Sequence, residues 1–158
     1  MTARINLSNV NPGIFHAMLG LEKQVSRVGF DSKLIDLVRM RASQINGCAY
    51  CLDMHSKEAR ALGETEQRLY GLDAWRETPY YSTRERAALE WTEALTLVMD
   101  GHVPDDVYER VRGEFSEDEL AHLSLAIVAI NGWNRLNIAA RTVPGTYVAG
   151  TLAATTAG

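Results

Sequence analysis

From Pro12 to Pro144 the apolar residues recur at steps of three and four, and no run alternates apolar with polar over a strand's length. A stripe of that period buries itself only as one face of a helix, so the chain is restricted to helices packed on helices. The helix ends are written in the sequence too. Asn11-Pro12 opens a first helix, with proline at the first helical position, Phe15, Met18, Leu19 and Val25 as its stripe, and Gly29 as its end. Asp31 caps a second helix carrying Leu34, Leu37, Val38 and Arg41. Asn46-Gly47 is a break before a third, which runs through Cys48 to a stop at Gly63. A short helix follows in "TEQRLYGLDAW". Ser82-x-x-Glu85 and Ser116-x-x-Glu119 have capping-box spacing before "RAALEWTEALTLVMDG" and "LAHLSLAIVAINGWNRLNIAART", and Pro104 starts a helix between them. In the last helix Leu120, Leu123, Ile127, Ile130 and Ile138 form one stripe, with Leu125 and Val128 on other faces. That helix is expected to be buried all round or to lie at a subunit interface. The fold class expected is all-α: a single-domain helical bundle of about six to seven helices over residues 1–145, with a mobile C-terminal tail at 146–158.

The 158 residues suffice for one core, and the composition is that of an ordinary globular domain. A net charge of −4 with no Lys/Arg run argues against nucleic acid as a partner. "LSLAIVAI", the most apolar stretch, is far shorter than the ~20 residues that cross a bilayer, so no membrane partner is expected. The first residues lack the order of a secretory signal, which makes a cytoplasmic location the expectation. In that compartment two cysteines close in sequence more often do chemistry or bind metal than staple a fold.

Both cysteines lie in "RASQINGCAYCLDMHSKEAR", with Cys48 and Cys51 three apart and His55 four further on. On a helix these three side chains fall within roughly 60° of one another, so the sulfurs and the imidazole share a face. Residues at that spacing also meet the separation a disulfide accepts. A helix beginning after Gly47 would put both cysteines in its first turn, where unpaired N–H groups and the helix dipole favour thiolate. His55, with an ordinary pKa of about 6.5, can withdraw or return the proton. The pattern therefore reads as an activated dithiol. Two alternatives stay open: a zinc site completed by His102, His122 or Asp53, and a pair of inert core cysteines. A thioredoxin fold is disfavoured, because nothing around the motif is βαβ.

"RMRASQINGCAYCLDMHSKEAR" closely resembles the signature of the alkylhydroperoxidase D-like (AhpD-like) proteins of the carboxymuconolactone decarboxylase superfamily. The similarity continues through "GETEQRLYGLDAWRETPYYSTRERAALEWTEALTL", "GHVPDDVYERV" and "AIVAINGWNRLNIAARTVPG", covering most of residues 12–145. The resemblance implies an all-α fold, assembly as a homotrimer or homohexamer, and no cofactor or metal. It also implies a thiol-dependent peroxidase or disulfide reductase, whose partners are a hydroperoxide substrate and an external dithiol or thiol-protein reductant. By motif position Cys51 matches the peroxidatic cysteine, Cys48 the resolving one and His55 the histidine of a proton relay. The relay usually starts from a glutamate twelve residues before the first cysteine. This chain has Asp36 there, one methylene shorter, so its contact with His55 is expected to be longer. A decarboxylase or lyase of the same superfamily is the alternative, and it has no need of a cysteine pair.

Other candidates have blander readings. His16 reads as a surface residue, His102 as a loop or helix-end residue and His122 as facing away from the core stripe; Tyr50 and Asp53 read as packing and solvent-facing. In "NGWNRLN", polar Asn131, Asn134 and Arg135 interrupt an apolar helix. They imply a polar network locking helices or subunits together, with Trp133 as a wall beside the dithiol in a second reading.

Overall fold

The computed structural model describes residues 2–27 and 29–151. In chain order these form α1 (Leu7–Val10), α2 (Pro12–Ser26), α3 (Ser32–Asn46), α4 (Ala49–Ala61), α5 (Glu66–Tyr70), a 3₁₀ helix (Gly71–Glu77), α6 (Thr83–Thr96), α7 (Asp105–Arg112) and α8 (Glu117–Ala140). No strand occurs among the described residues. The caps lie where local chemistry demands them. Asp31 accepts from the Lys33 N–H, Pro12 starts α2, and both capping boxes close, Ser82 with Glu85 and Ser116 with Glu119.

The middle helix is α3, which packs on α4, α6 and α8. Its Leu34 and Val38 join Ala88, Trp91, Phe115 and Ile127 in one apolar cluster, and its Leu37 and Met40 join Leu72, Trp75 and Leu89 in another. Ala42, Cys48, Cys51 and Ile130 make a third, so the cysteine pair sits inside the core where α3, α4 and α8 meet.

Four expectations need revision. The one-turn α1, capped by Asn6, was not anticipated. The helix in "TEQRLYGLDAW" is split at Gly71, where a side chain would crowd the Tyr80 ring (3.3 Å to Cε2), and Ala74 leaves helical geometry. The helix opened by Ser82 stops at Thr96, leaving Leu97, Val98 and Met99 exposed. On α8, Leu120, Leu123, Ile127 and Ile130 are buried as the stripe requires, but Ile138 and Val128 are 44% and 57% exposed. Ile138 lies five whole turns after Leu120 and keeps its azimuth, so α8 is not buried all round within one chain, and the subunit-interface reading of this helix stays open.

The tail expected from residue 146 is held against α4 as far as Gly150: Lys57 Nζ donates to the carbonyls of Gly145 (3.4 Å) and Tyr147 (3.1 Å), and Glu58 accepts from the Tyr147 hydroxyl and the Gly150 N–H. Residues 152–158 lie outside the described residues. "NGWNRLN" does form a polar lock. Asn46 donates to Asn131 (3.0 Å) and Asn134 (2.9 Å), Asn131 to Thr96 (3.0 Å), and Asn134 to Ser43 (3.0 Å), tying α8 to α3 and α6.

Candidate functional site

Gly47 terminates α3 in the left-handed conformation (φ 68°), which a residue without Cβ adopts freely. The chain then re-enters a helix at once, with Cys48 as the N-cap of α4. Its Sγ accepts from the Cys51 N–H (3.3 Å), the role an oxygen plays in most caps. Cys48 and Cys51 are joined as a disulfide, their Cα atoms 5.3 Å apart, and both are 1% exposed. On reduction each sulfur would lie in the first turn of α4, where free N–H groups and the helix dipole favour negative charge.

His55 follows one turn along α4 and is 2% exposed. Its Nδ1 faces Asp36 Oδ1 on α3 at 3.8 Å, beyond hydrogen-bonding distance, and has no partner among the described residues. Burial holds the imidazole below its ordinary pKa; Asp36 opposes that, and the Arg39 guanidinium adds to it. His55 is therefore neutral at pH 7, a base with an empty position to fill.

Behind it lies a charge cluster that the sequence did not announce. Arg39 pairs with Glu22 on α2 at 2.5 Å and with Asp36 at 3.5 Å. Glu22, 5% exposed, also accepts from the indole N–H of Trp133 on α8 (3.1 Å). Asn137, one turn beyond Trp133 and bonded to its carbonyl, points its amide at Cys51 Sγ from 3.8 Å.

Cys51 and His55 open onto a cavity of about 440 Å³ whose wall includes Phe15, Leu19, Glu22 and Trp133. Residues near both ends of the described chain complete it, Ile5 and Leu7 on one side and Val143 and Tyr147 on the other. Asp53 is half-buried and engaged rather than free in solvent. It binds Lys57 (2.9 Å) and the Gly145 N–H (2.9 Å), contacts that outweigh the effect of burial and hold its carboxyl below the usual range. Tyr50 lines the cavity, its phenol pushed up by burial and by Asp53.

Cys48, Cys51, His55 and Asp36 are thus brought together, with the long aspartate contact that the shorter side chain implied. His16 and His102 are exposed on the surface, and His122 is turned back to the Asp118 carbonyl (2.8 Å). None of these, nor Asp53, is bonded to the cysteines, and among the described residues no three His, Cys, Asp or Glu groups are arranged to hold a metal. Trp133 satisfies both earlier readings, since it neighbours the polar lock and walls the cavity. Glu22 and Asn137 were missed. Glu22 had left a signal: it occupies the middle of the Phe15, Met18, Leu19, Val25 stripe, where a carboxylate requires a buried partner.

The family model described as the carboxymuconolactone decarboxylase family matches residues 12–94, just over half of the chain and all of α2 to α4. The chain belongs to the carboxymuconolactone decarboxylase family. Within this family's reach, the protein YdfG of Bacillus subtilis (strain 168), itself uncharacterised, is 42% identical over 139 residues, 88% of this chain and 95% of YdfG. The crystal structure of ATU0492 from Agrobacterium tumefaciens, a protein of unknown function provisionally called antioxidant defence protein AhpD, is 40% identical. It superposes with a TM-score of 0.89 over 92% of this chain and 100% of that one. An uncharacterised peroxidase-related protein from Silicibacter sp. TM1040, 20% identical, shares the fold at a TM-score of 0.77 over 90% of this chain and 75% of its own. This carboxymuconolactone decarboxylase family chain accordingly has the AhpD-like all-α fold.

Proposed function

We propose that the chain is a thiol-dependent peroxidase and disulfide oxidoreductase that reduces hydroperoxides at the expense of an external dithiol or thiol-protein. The observation that carries this reading is a cysteine pair already joined as a disulfide at the start of a helix, beside a buried neutral histidine, at the wall of a largely apolar cavity. In the reduced chain His55 takes the proton of Cys51, and the thiolate attacks the terminal oxygen of the hydroperoxide. The O–O bond breaks, the alcohol leaves with the proton returned by His55, and Cys51 becomes a sulfenic acid. The Cys48 sulfur then displaces that oxygen as water, forming the disulfide. An incoming dithiol reduces the disulfide by exchange and becomes a disulfide itself. Asp36 orients His55 and favours its protonated form. The exposed Val128 and Ile138 on α8 are consistent with burial in a homotrimer or homohexamer.

The test is steady-state reduction of an organic hydroperoxide with a small dithiol as donor. Cys51→Ser is expected to lose turnover entirely, and Cys48→Ser to lose it with the dithiol donor while still oxidising once at Cys51. Full turnover by Cys51→Ser would overturn the assignment.

A further inference from the structure

Glu22 is a buried carboxylate that the steps above do not use. It sits on α2, outside the α3–α4 segment that holds the dithiol, yet it shares one guanidinium with Asp36 and forms part of the cavity wall with Cys51 and His55. Resting on the dithiol reading of the site, we propose that Glu22 is a positioning residue of the proton relay. With Asp36 it shares the single positive charge of Arg39, so the cluster keeps one uncompensated negative charge for the imidazolium that His55 becomes on taking the Cys51 proton.

Glu22, Asp36 and His55 are each at most 5% exposed, and the Arg39 side chain is 15% exposed. Two carboxylates and one guanidinium leave a net charge of −1 while His55 is neutral. Protonation of His55 brings the cluster to zero, the arrangement that burial favours. Without Glu22 the groups behind His55 would be neutral beforehand and +1 afterwards; the thiolate left on Cys51 is the same in both cases, so the difference lies in whether a carboxylate charge stands behind the imidazolium. Arg39 holds Glu22 closely (2.5 Å) and Asp36 loosely (3.5 Å). Asp36 therefore remains available to close its 3.8 Å gap to Nδ1, whose hydrogen-bonding position is empty.

The other groups packed around the relay do not change the count. On α4 these are the cysteines, Tyr50 and Glu58; the Glu58 carboxylate lines a second cavity with Asp36 and Arg39, but it is only half-buried, pairs with neither Arg39 nor His55, and is turned to the Tyr147 hydroxyl and the Gly150 N–H. From α8 come Trp133 and Asn137, neither of which titrates. The Trp133 indole fixes the far oxygen of Glu22, aiming the other at Arg39.

The test titrates the Cys51 thiol by its ultraviolet thiolate absorbance in reduced Cys48→Ser protein, with and without Glu22→Gln. Glutamine keeps an acceptor for Trp133 and removes only the charge. The midpoint is expected to rise by roughly half to one pH unit, with oxidation by hydroperoxide at neutral pH slowed roughly three- to tenfold. Glu22→Asp, which keeps the charge, should shift it less in the same direction and remains informative if the glutamine variant does not fold. In a His55→Gln background the Glu22→Gln shift should vanish, because Glu22 acts through His55. A folded Glu22→Gln protein with an unmoved midpoint, or a shift that survives loss of His55, would overturn the proposal. The titration consumes no peroxide. A Glu22-dependent midpoint in a protein that fails to reduce peroxides would uphold this inference and sink the function proposed above.

Discussion

The 3.8 Å between Asp36 Oδ1 and His55 Nδ1 follows from an aspartate at a position where one more methylene would reach the ring. With His55 neutral no ion pair forms across that gap, and Nδ1 is left unsatisfied in the oxidised chain. Asp36→Glu should close that gap, and there is room for it, because a cavity of about 280 Å³ adjoins Asp36. A closer carboxylate stabilises the imidazolium, so the rise of the Cys51 oxidation rate with pH should move to lower pH by roughly half to one unit. Stopped-flow rates across pH check this, and an unchanged profile would show that the gap does not limit the relay. The four residues of the proposed site were legible because three of them share α4 and its N-cap, and the fourth lies at a fixed distance upstream. Glu22 and Asn137 were not, because what matters about them is their partners, Arg39 seventeen residues and Cys51 eighty-six residues away in sequence. Only Glu22's place on an apolar stripe betrayed it.

At the scale of elements, the boundaries set by local chemistry were readable: Pro12 at a first position, Asp31 and the two serines as caps, Gly47 as a left-handed stop. Those that depend on a distant neighbour were not. The break at Gly71 serves the Tyr80 ring, and the lock of α3 to α6 and the 3₁₀ helix runs through one carboxylate, Glu93. Glu93 accepts from Trp75 Nε1 (2.8 Å), Arg41 Nε (2.8 Å) and the Arg76 guanidinium. Burial would push its carboxyl up, but these three donors outweigh it and hold it below the usual range. Glu93→Gln should cost about 2 kcal/mol at neutral pH by denaturant unfolding. A depressed pKa in the folded state means that this stability is present above the unfolded value of about 4.3 and is lost as pH falls through the folded value. The gap between wild type and Glu93→Gln should therefore close in acid below about pH 4. A gap that persists unchanged there would show that the carboxylate's charge is not what holds the elements.

The whole molecule places Cys48 and Cys51 where no bulky reagent touches them. Cys48 and Cys51 lie inside the core cluster, and the cavity beside them is walled by the bundle and by segments near both ends of the described chain. The α4 helix serves two ends: Cys51 and His55 line the cavity, while Asp53, Lys57 and Glu58 hold residues 145–150 against the helix. The cysteines and His55 were legible by spacing alone, whereas the hold on residues 145–150 was not, since a glutamate or lysine on a helix reads as solvated. Glu58→Gln weakens the hold on Tyr147 and Gly150, so alkylation of reduced Cys51 by iodoacetamide should accelerate roughly two- to tenfold. An unchanged rate would mean that residues 145–150 do not govern access. The central claim, that this buried pair is a peroxide-reducing dithiol with Cys51 as the nucleophile, meets its most direct test in stopped-flow oxidation of the fully reduced protein by an organic hydroperoxide, with the products mapped by mass. Wild type should consume one equivalent and form the Cys48–Cys51 disulfide, Cys48→Ser should stop at a sulfenic acid on Cys51, and Cys51→Ser should not react. Equal oxidation of the Cys51→Ser protein at Cys48, or a wild-type pair left reduced by peroxide and oxidised only by disulfides, would contradict it.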